Sequence, residues 1–476
     1  MKNKKLLFSF IIPTYNNENT IERAIQSILN QDVSPEIYEI IVVDDKSSDK
    51  TYEKVELIKN KNIALYQLHQ NSGGASAPRN FGISKAKGKF VYFLDSDDWL
   101  RPNILRYIIN HKHLLRSDMI IAKTIKVTDK SETVHARFLS YKNRLLKDKN
   151  DIPYLIYYLG PQGKFLNNEI LQKNDLKYPI DMHFGEDKIF FLNFFNQCKK
   201  VSTITKECGN IDRTTDNHSM IQQTDFYQKR KSDYELFKEI KKIKNPKFKD
   251  KFYLRIVEYD MLNNCDSHVF NKLPIEEKEA IFNIIKEVFT TPYIRENILQ
   301  DINVRYKNAV QFVLEDDFKG FCEYFKWLKS GKKKFSYSDN GRLQATDLKQ
   351  KFSLEVHYAN LLEITETKKY TYIQILLSNI DESRISGVLI ESRTLFSNNI
   401  NIKDLSFDHN ILTVKIDHNI LNRMAFNIFN VYIVYDGYKN LNVKFGYEKR
   451  IKNCEHNVTF YPTVNGNLSI KHTKSK

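Results

Sequence analysis

Residues 90–99 read Phe90-Val91-Tyr92-Phe93-Leu94-Asp95-Ser96-Asp97-Asp98-Trp99, an apolar run that ends in three acidic residues within four positions. Such an unbroken apolar run is typical of a strand that is buried on both faces, in the middle of a parallel sheet. Because ligands of open α/β sheets bind just outside the carboxyl ends of the strands, Asp95 and Asp97 lie where a site is expected. Closely spaced carboxylates repel each other, and a hard divalent cation neutralises them. The run therefore indicates a metal that holds phosphates, with a solvated acidic turn as the alternative.

Apolar strands and amphipathic helices alternate through the residues that precede this run. The patterns predict strands at 6–13, 37–43 and 63–68, and helices at 20–29, at 50–59 and from the small-residue loop 71–80 to residue 86. This alternation predicts a right-handed, doubly wound parallel sheet. The first strand is not followed by G-x-G-x-x-G, and the sequence contains no G-x-x-x-x-G-K-[ST]. A dehydrogenase and a P-loop NTPase are therefore disfavoured.

Length and charge limit the class of protein. A chain of 476 residues is too long for one ordinary core, so we expect about two or three domains. The formal net charge of +16, from 74 Lys and Arg against 58 Asp and Glu, predicts a polyanionic partner: nucleic acid, an anionic membrane surface or an anionic polymer. The five cysteines are widely spaced, which supports neither a disulfide framework nor a zinc site and fits a reducing compartment. No apolar run is long enough to predict a membrane span.

The rest of the chain divides into a helical part and a strand-rich part. From residue 226 to about 328 the pattern is helical, with breaks at Pro246, Pro274 and Pro292. Beyond it, segments at 352–356, 371–377, 412–416, 431–435 and 441–445 alternate with period two, which predicts an all-β sandwich. We predict domains at 1–220, 221–335 and 336–476. Shorter patterns predict a helical segment at 152–159 and a short strand at 201–204. The lysine-rich run at 229–251 is either a solvated face or a surface that steers an anionic partner.

Four segments in the N-terminal part occur in the order and spacing of a known family. They are Ser9-Phe10-Ile11-Ile12-Pro13-Thr14-Tyr15-Asn16, then Ile41-Val42-Val43-Asp44-Asp45, then Asn71-Ser72-Gly73 with Pro78-Arg79-Asn80, and then Phe93-Leu94-Asp95-Ser96-Asp97-Asp98. Through these segments, roughly the first 220 residues resemble the GT-A family 2 glycosyltransferases, whose catalytic domain is a Rossmann-like, mostly parallel α/β sheet. Within that family, the segment 73–80 and the charge balance most resemble the staphylococcal enzymes that add N-acetylglucosamine to poly(ribitol phosphate) wall teichoic acid.

The resemblance implies a uridine diphosphate sugar as donor and Mn²⁺ or Mg²⁺ as the metal, both of which suit oxygen ligands. It also implies roles for the residues at the predicted strand ends. These are Pro13 and Tyr15 at the base, Asp44 at the edge of the base, Asn71 and Arg79 on the nucleotide, Asp95 on the ribose with Ser96 beside it in the donor site, and Asp97 on the metal. Asp98 is either a supporting partner of this group or a helix cap.

A second acidic pair, Glu186-Asp187, stands at the start of an amphipathic helix. Negative charge at a helix N-terminus is by itself stabilising, and that is the alternative explanation of the pair. The resemblance implies that Asp187 is the catalytic base. It also implies that Arg213 and His218 belong to a loop that closes over the diphosphate and the metal. The family's usual Tyr-Arg run is replaced here by Asn210-Ile211-Asp212-Arg213.

We therefore predict a metal-dependent, inverting glycosyltransferase that moves N-acetylglucosamine from UDP-GlcNAc to a hydroxyl of an anionic cell-wall polymer. The alternatives are a capsule, exopolysaccharide or glycolipid glycosyltransferase, and a carbohydrate-binding scaffold that keeps the fold without catalysis. The expected partners are the donor and an anionic glycopolymer, and not nucleic acid. By analogy, the C-terminal domain serves oligomerisation, as in trimers of similar enzymes, or polymer binding. We expect a cytoplasmic protein that associates peripherally with the inner face of the membrane.

Overall fold

The computed structural model of the chain describes residues 6–182, 184–215 and 225–475. These residues form two compact units. The first comprises the described residues up to 129 and between 134 and 329. The second comprises residues 130–133 and the described residues from 330 onward. Each unit has its own apolar core.

A mixed sheet forms the centre of the first unit. The strands described from residue 8 to residue 212 are β1 (Phe8–Thr14), β2 (Tyr38–Asp44), β3 (Ile63–Gln67), β4 (Phe90–Phe93), β5 (Trp99–Leu100), β6 (Met119–Val127), β7 (Glu132–His135), β8 (Arg144–Asp148), β9 (Lys164–Asn167) and β10 (Lys200–Asp212). The main path runs β3-β2-β1-β4-β9-β6-β10-β5. The pairs β2–β3, β1–β2 and β1–β4 are parallel. The predicted α/β fold, with strands β1 to β4 parallel, is confirmed.

Helices connect these strands and cover the sheet. They are α1 (Ile21–Leu29), α2 (Thr51–Leu57), α3 (Ser76–Lys85), α4 (Ile104–Asn110), α5 (Arg137–Ser140), α6 (Asn168–Lys173) and α7 (Glu186–Gln197). In α1 the apolar residues recur every three or four positions, and Ile21, Ala24, Ile25 and Ile28 are all fully buried. They pack on a core that includes Phe8 and Phe10 of β1, so the amphipathic pattern decides which face of the helix meets the sheet.

Two parts of the sheet differ from the sequence prediction. Strand β9 lies antiparallel between β4 and β6. The strand predicted at 201–204 is longer and runs from Lys200 to Asp212, with shifts of register along β6. The helical segment predicted at 152–159 is wrong, because only a short 3₁₀ turn forms there, at Leu155–Tyr157. Pro153 precedes this turn, and Tyr154 has a left-handed backbone with φ of 58°, a conformation that cannot continue a helix.

The predicted helical region belongs to the first unit. Its described helices are α8 (Phe226–Ile240), α9 (Pro246–Leu254), a π-helix (Arg255–Leu262), α10 (Asn263–Cys265), α11 (His268–Lys272), α12 (Ile275–Thr290), α13 (Pro292–Asn297), α14 (Lys307–Leu314) and α15 (Phe318–Ser330). Pro246 and Pro292 occupy the first turns of helices, where the absent N–H costs nothing. None of the described helices is long and apolar enough to cross a bilayer.

Buried ion pairs join α7 to the helical region. Lys188 of α7 pairs with Asp233 of α8 and lies 3.5 Å from Asp260 of the π-helix. Arg230 also pairs with Asp233, at 2.7 Å. Asp233 is fully buried, and breaking a buried pair leaves an uncompensated charge that costs about 3–5 kcal/mol. The helical region therefore holds the start of α7 in place.

The second unit is rich in strands, as predicted. Its described strands are β11 (Lys334–Tyr337), β12 (Leu343–Thr346), β13 (Ser353–Glu355), β14 (Tyr358–Glu366), β15 (Tyr370–Ser378), β16 (Ile385–Ser392), β17 (Ile400–Ile402), β18 (Leu405–Asp408), β19 (Ile411–Asp417), β20 (Ile428–Tyr435), β21 (Lys439–Lys444), β22 (Lys449–Ile451), β23 (Asn457–Pro462) and β24 (Leu468–Thr473), with one short helix, α16 (His418–Asn422). Strands β11–β13 form a small sheet of their own. In β19 the buried side chains Leu412, Val414 and Ile416 alternate with partly exposed ones, and they share one core with Ile433 and Phe460.

Candidate active site

Three parallel strands bring their polar carboxyl ends to one edge of the sheet. The register pairs Thr14 of β1 with Asp44 of β2, and Ile11 of β1 with Phe93 of β4. The acidic turn Asp95–Asp98 follows β4 after a single residue, Leu94. This edge of the sheet is where open α/β folds bind their ligands.

The acidic turn gathers three carboxylates. Oxygen atoms of Asp95, Asp97 and Asp98 all lie within 4.8 Å of one another. Asp98 is buried, and burial together with the charges of Asp97 and Asp95 raises its pKa well above the ordinary range. A group of oxygen donors that repel one another in this way fits a hard divalent cation such as Mn²⁺ or Mg²⁺.

Asp98 supports the turn from beneath. Its Oδ1 accepts a hydrogen bond from the backbone N–H of Asp212 at 2.9 Å, which ties the end of β10 to the acidic turn. The following helix, α4, begins at Ile104 with Asn103 before it. Asp98 therefore supports the acidic turn and does not cap a helix.

Arg79 of α3 connects the acidic turn to the second acidic pair. Its Nη2 donates to Asp95 Oδ1 at 2.9 Å, and its Nη1 donates to Asp187 Oδ1 at 3.0 Å and to Glu186 Oε1 at 3.5 Å. The Arg79 side chain is only 6% exposed and lies over the ring of Tyr178. One buried guanidinium thus partly neutralises the charge of three carboxylates, so both acidic groups belong to one site.

The position of Asp187 follows from the packing of α7. Phe190, one turn further along, stacks on Tyr178 at 3.9 Å and lies edge-on to Phe93 of β4 at 5.8 Å between ring centroids. Burying such a ring contributes about 1.5–3 kcal/mol. Before the helix, Gly185 has φ of 86°, and a Cβ there would lie 1.8 Å from Ser232 Oγ. Only glycine meets both conditions, and the turn it makes brings Asp187 to Arg79.

Asp187 has the ionisation of a proton acceptor that works near neutral pH. Burial raises the pKa of its carboxyl to about 7, against the opposing effect of Arg79, and the charges of Glu186 and Asp95 add to the rise. The side chain nevertheless keeps 27% of its surface exposed. An accessible carboxylate of this kind suits a general base.

The residues expected to hold the base of the donor lie on one side of the acidic turn. Tyr15 is 46% exposed, whereas Pro13 is buried at the end of β1. Asp44 is fully buried and accepts hydrogen bonds from the Ser47 hydroxyl and from Gln67 Nε2, the latter at 2.9 Å. Tyr15 is therefore accessible, while Asp44 is held in a fixed orientation.

Asn71 and Ser96 order the loops around this side of the site. Asn71 Nδ2 donates to the carbonyl of Asp45 at 3.0 Å, and its Oδ1 accepts from the N–H of Gly73 at 2.9 Å. The Ser96 hydroxyl donates to Asn17 Oδ1 at 2.7 Å.

Arg213 lies at the end of β10, close to the acidic turn. It donates from Nη1 to the carbonyl of Asp212 at 2.5 Å, and its charge lowers the pKa of Asp98 against the larger effect of burial. His218 lies outside the described residues. The structure thus brings Asp95, Asp97, Asp187, Arg79 and Arg213 to one region of the first unit.

Sequence reasoning missed the segment that holds Asp95 by a hydrogen bond from Gln162. Gln162 Nε2 donates to Asp95 Oδ2 at 2.7 Å, and Gln162 Oε1 accepts a hydrogen bond from the Tyr158 hydroxyl. Gly163, with φ of 75°, approaches the carbonyl of Ala122 so closely that a Cβ would lie 2.7 Å from its oxygen. In the sequence, the glycines and the proline of Gly160-Pro161-Gln162-Gly163 indicate a turn at this position, before β9.

The fold is an α/β unit of the GT-A class. Residues 9–173 match the family described as Glycosyl transferase family 2. An uncharacterized glycosyltransferase of Haemophilus influenzae is 30% identical over 198 residues, which cover 41% of this chain and 74% of that protein. The chain therefore belongs to glycosyl transferase family 2.

Other relatives are named for poly(ribitol-phosphate). The poly(ribitol-phosphate) beta-N-acetylglucosaminyltransferase TarP of Staphylococcus aureus is 34% identical over 198 residues, which cover 41% of this chain and 60% of that protein. The poly(ribitol-phosphate) beta-glucosyltransferase of Bacillus spizizenii is 32% identical over 201 residues, which cover 41% of this chain and 30% of that protein. The matched segment thus spans less than two thirds of these two relatives.

Solved structures share the fold. The crystal structure of S. aureus TarS superposes with a TM-score of 0.61 at 20% identity and covers 99% of this chain and 86% of its own. A crystal structure of residues 1–349 of TarS in complex with UDP-GlcNAc gives a TM-score of 0.61 at 22% identity and covers 74% of this chain and 99% of its own. The predicted combination of a GT-A unit, helices and a β-rich C-terminal region is confirmed at the level of fold.

Proposed function

We propose that this chain is an inverting glycosyltransferase that moves N-acetylglucosamine from UDP-GlcNAc to a hydroxyl of an anionic cell-wall polymer of the poly(ribitol phosphate) type. The observation that carries the proposal is the ion-paired arrangement of Asp95, Arg79 and Asp187. It holds an acidic, metal-binding turn next to a separate carboxylate that is accessible and suited to accept a proton. A single displacement with inversion uses a base and a stabilised leaving group, and it needs no second nucleophilic carboxylate.

The donor side of the site is proposed to use residues from three strand ends. The exposed ring of Tyr15 stacks on the base next to Pro13, and Asp44 accepts hydrogen bonds from the edge of the base. Asn71 and Arg79 order the nucleotide, and Asp95 with Ser96 binds the ribose. Arg213 and His218 approach the diphosphate.

Metal binding is proposed at Asp97, within the cluster that Asp95 and Asp98 complete. When bound, Mn²⁺ or Mg²⁺ offsets the negative charge of the departing nucleoside diphosphate. Asp98 keeps the turn in shape through its bond to the backbone of Asp212. The proposed role of the acidic turn is therefore to stabilise the leaving group.

Asp187 is proposed to serve the acceptor. Its carboxylate accepts the proton of the acceptor hydroxyl while the hydroxyl oxygen attacks the anomeric carbon from the face opposite the diphosphate. The bond to the leaving oxygen breaks as the new glycosidic bond forms, so an α-linked donor gives a β-linked product. Arg79 holds Asp187 in place through its 3.0 Å hydrogen bond.

The acceptor is proposed from charge and from the relatives. A net charge of +16 favours a polyanion, and relatives that match this chain are named for poly(ribitol-phosphate). The same charge would also favour docking on an anionic membrane, which supports peripheral association at its inner face and keeps a glycolipid or capsule transferase as the second candidate. The β-rich unit is proposed to form a homo-oligomer that presents several sites to one polymer and so raises avidity.

One comparison of acceptors tests the proposal. The purified protein, with UDP-GlcNAc and Mn²⁺, is offered poly(ribitol phosphate), neutral glycans and lipid acceptors in parallel. We expect transfer to poly(ribitol phosphate) with a β-linkage in the product. Transfer only to a neutral or lipid acceptor would assign the second candidate. The absence of both transfer and metal-dependent donor hydrolysis would favour a carbohydrate-binding scaffold.

A further inference from the structure

A lysine lies in the interior of the first unit. Lys164, the first residue of β9, has no exposed surface. Its ammonium donates to the carbonyl of Gly160 at 2.5 Å and lies 4.1 Å from the ring centroid of Tyr158. Lysine is almost never fully buried unless another group compensates its charge, so this position calls for a physical reason.

The geometry relates Lys164 to the first turn of α7. Its ammonium lies 5.1 Å from the ring centroid of Phe191, which is four positions after Asp187. Residues four apart share one face of a helix, and a helical side chain points back towards the preceding turn. The Lys164 ammonium therefore lies against the face of α7 that carries Asp187.

We infer that Lys164 is a positioning residue that keeps Asp187 ionised and ready to accept a proton. The inference rests on the proposed function, because it gives Asp187 the role of the base. It assigns Lys164 no contact with donor or acceptor, since the residue has no exposed surface. Its influence on Asp187 is electrostatic.

The charge balance around Asp187 explains the need for a second cation. Arg79 is shared among Asp95, Glu186 and Asp187, so a single guanidinium faces three carboxylates. The charged and titratable groups that face Asp187 are Arg79, Lys164, Glu186, Asp95, Tyr158 and Tyr178. The two tyrosines are neutral, because burial raises their pKa values well above the ordinary range. Below its own pKa, Lys164 therefore supplies the second positive charge of the group.

The ionisation of the two residues is consistent with this role. Burial lowers the pKa of Lys164 to about 7, and the carboxylate of Asp187 opposes that fall. In return, Lys164 opposes the rise in the pKa of Asp187 that burial causes. Removing the cation therefore favours the protonated, inactive form of Asp187 at neutral pH.

The substitution Lys164→Met tests the inference. Methionine is unbranched and fills the space of the lysine stem against Tyr158 and Phe191, and replacing a buried charge by an apolar group of similar volume is often tolerated. We expect the acidic limb of the pH profile of kcat/KM to move to higher pH by about one unit, which is about a tenfold loss of activity on the limb. Activity above the limb should return to that of the parent.

The chain offers a matched control in a second buried lysine. The Lys149 ammonium donates to the carbonyl of Phe195, at the other end of α7, and lies 4.8 Å from the ring centroid of Phe248. Lys149→Met should leave the acidic limb where the parent has it. Lys164→Arg keeps the charge and should also keep the limb at the parental pH, whatever its absolute rate.

The profiles are measured with UDP-GlcNAc, poly(ribitol phosphate) and saturating Mn²⁺, after circular dichroism and UDP binding have shown that each variant folds. If Lys164→Met does not bind UDP, Lys164→Gln replaces it with the same expected shift. An acidic limb that stays at the parental pH, or that moves equally in Lys149→Met, would overturn the inference. If the parent transfers sugar, Asp187→Asn does not and the limb is unmoved, only the role of Lys164 fails. If the parent does not transfer sugar, or Asp187→Asn does, the proposed function fails.

Discussion

Arg79 and Asp187, 108 positions apart in the sequence, meet through a hydrogen bond of 3.0 Å between Nη1 and Oδ1. The first residue comes from the helix that follows the small-residue loop, and the second from the start of α7. Because the other nitrogen of the same guanidinium donates to Asp95 at 2.9 Å, the proposed donor site and the proposed base share one buried cation. Their relative position is therefore fixed before any substrate binds.

Removing the Arg79 cation should lower the stability of the protein. Arg79→Met leaves Asp95, Glu186 and Asp187 close together without their shared partner, so we expect the free energy of unfolding to fall by about 3–5 kcal/mol. Urea denaturation measures the change. The control is Arg106→Ala, which breaks a pair with Asp32 whose side chains are 52% and 62% exposed and should cost about 1 kcal/mol or less. Equal small losses in the two variants would show that Arg79 does not hold the site together.

The acidic turn should control the response to metal. Asp97→Ala removes one of three clustered carboxylates, and we expect weaker donor binding and a blunted activation by Mn²⁺. Titration of activity against Mn²⁺ in the parent, in Asp97→Ala and in the exposed control Asp32→Ala measures this effect. A parent enzyme that works fully in the presence of a chelator would contradict the role given to Asp97.

The pH dependence follows from the environment of Asp187. Burial raises the pKa of its carboxyl to about 7, and a base accepts protons only in its ionised form. The rate of transfer should therefore be highest above this pKa. It should decline as the pH falls through about 7, by about tenfold for each unit below it. Initial rates across neutrality give the profile, and UDP-GlcNAc affinity over the same range separates turnover from binding. A rate that stays constant well into the acidic range would remove Asp187 from this role.

Local patterns were sufficient to predict most of the N-terminal sheet. In β1, β2 and β4 the apolar runs are continuous because both faces are buried, and α1 carries a clear amphipathic stripe. The position of β9 could not be read in this way. It pairs antiparallel with strands that are distant in the sequence, and such pairing depends on packing that no local period records.

In the site, too, local sequence patterns identified single residues but not the contacts between distant segments. Asp95, Asp97 and Asp187 were recognisable because acidic residues stand at a strand end and at a helix start, and the family resemblance gave them roles. The contact of Arg79 with both acidic groups, and the support of Asp95 by Gln162 at 2.7 Å, join separate segments of the chain. Lys164 was not recognisable as a buried cation, because a lysine at the start of a short strand is usually exposed.

The central claim is that the acidic turn serves the leaving group while Asp187 alone accepts the proton. It is tested most directly by measuring, in Asp187→Asn, both the turnover of sugar transfer to poly(ribitol phosphate) and the Kd for UDP-GlcNAc. We expect turnover to fall by ~10²–10⁴ while the Kd stays close to that of the parent, and we expect the exposed control Asp181→Asn to behave like the parent in both. An Asp187→Asn enzyme that keeps near-parental turnover, or that loses its affinity for the donor to the same extent as its turnover, would contradict the account.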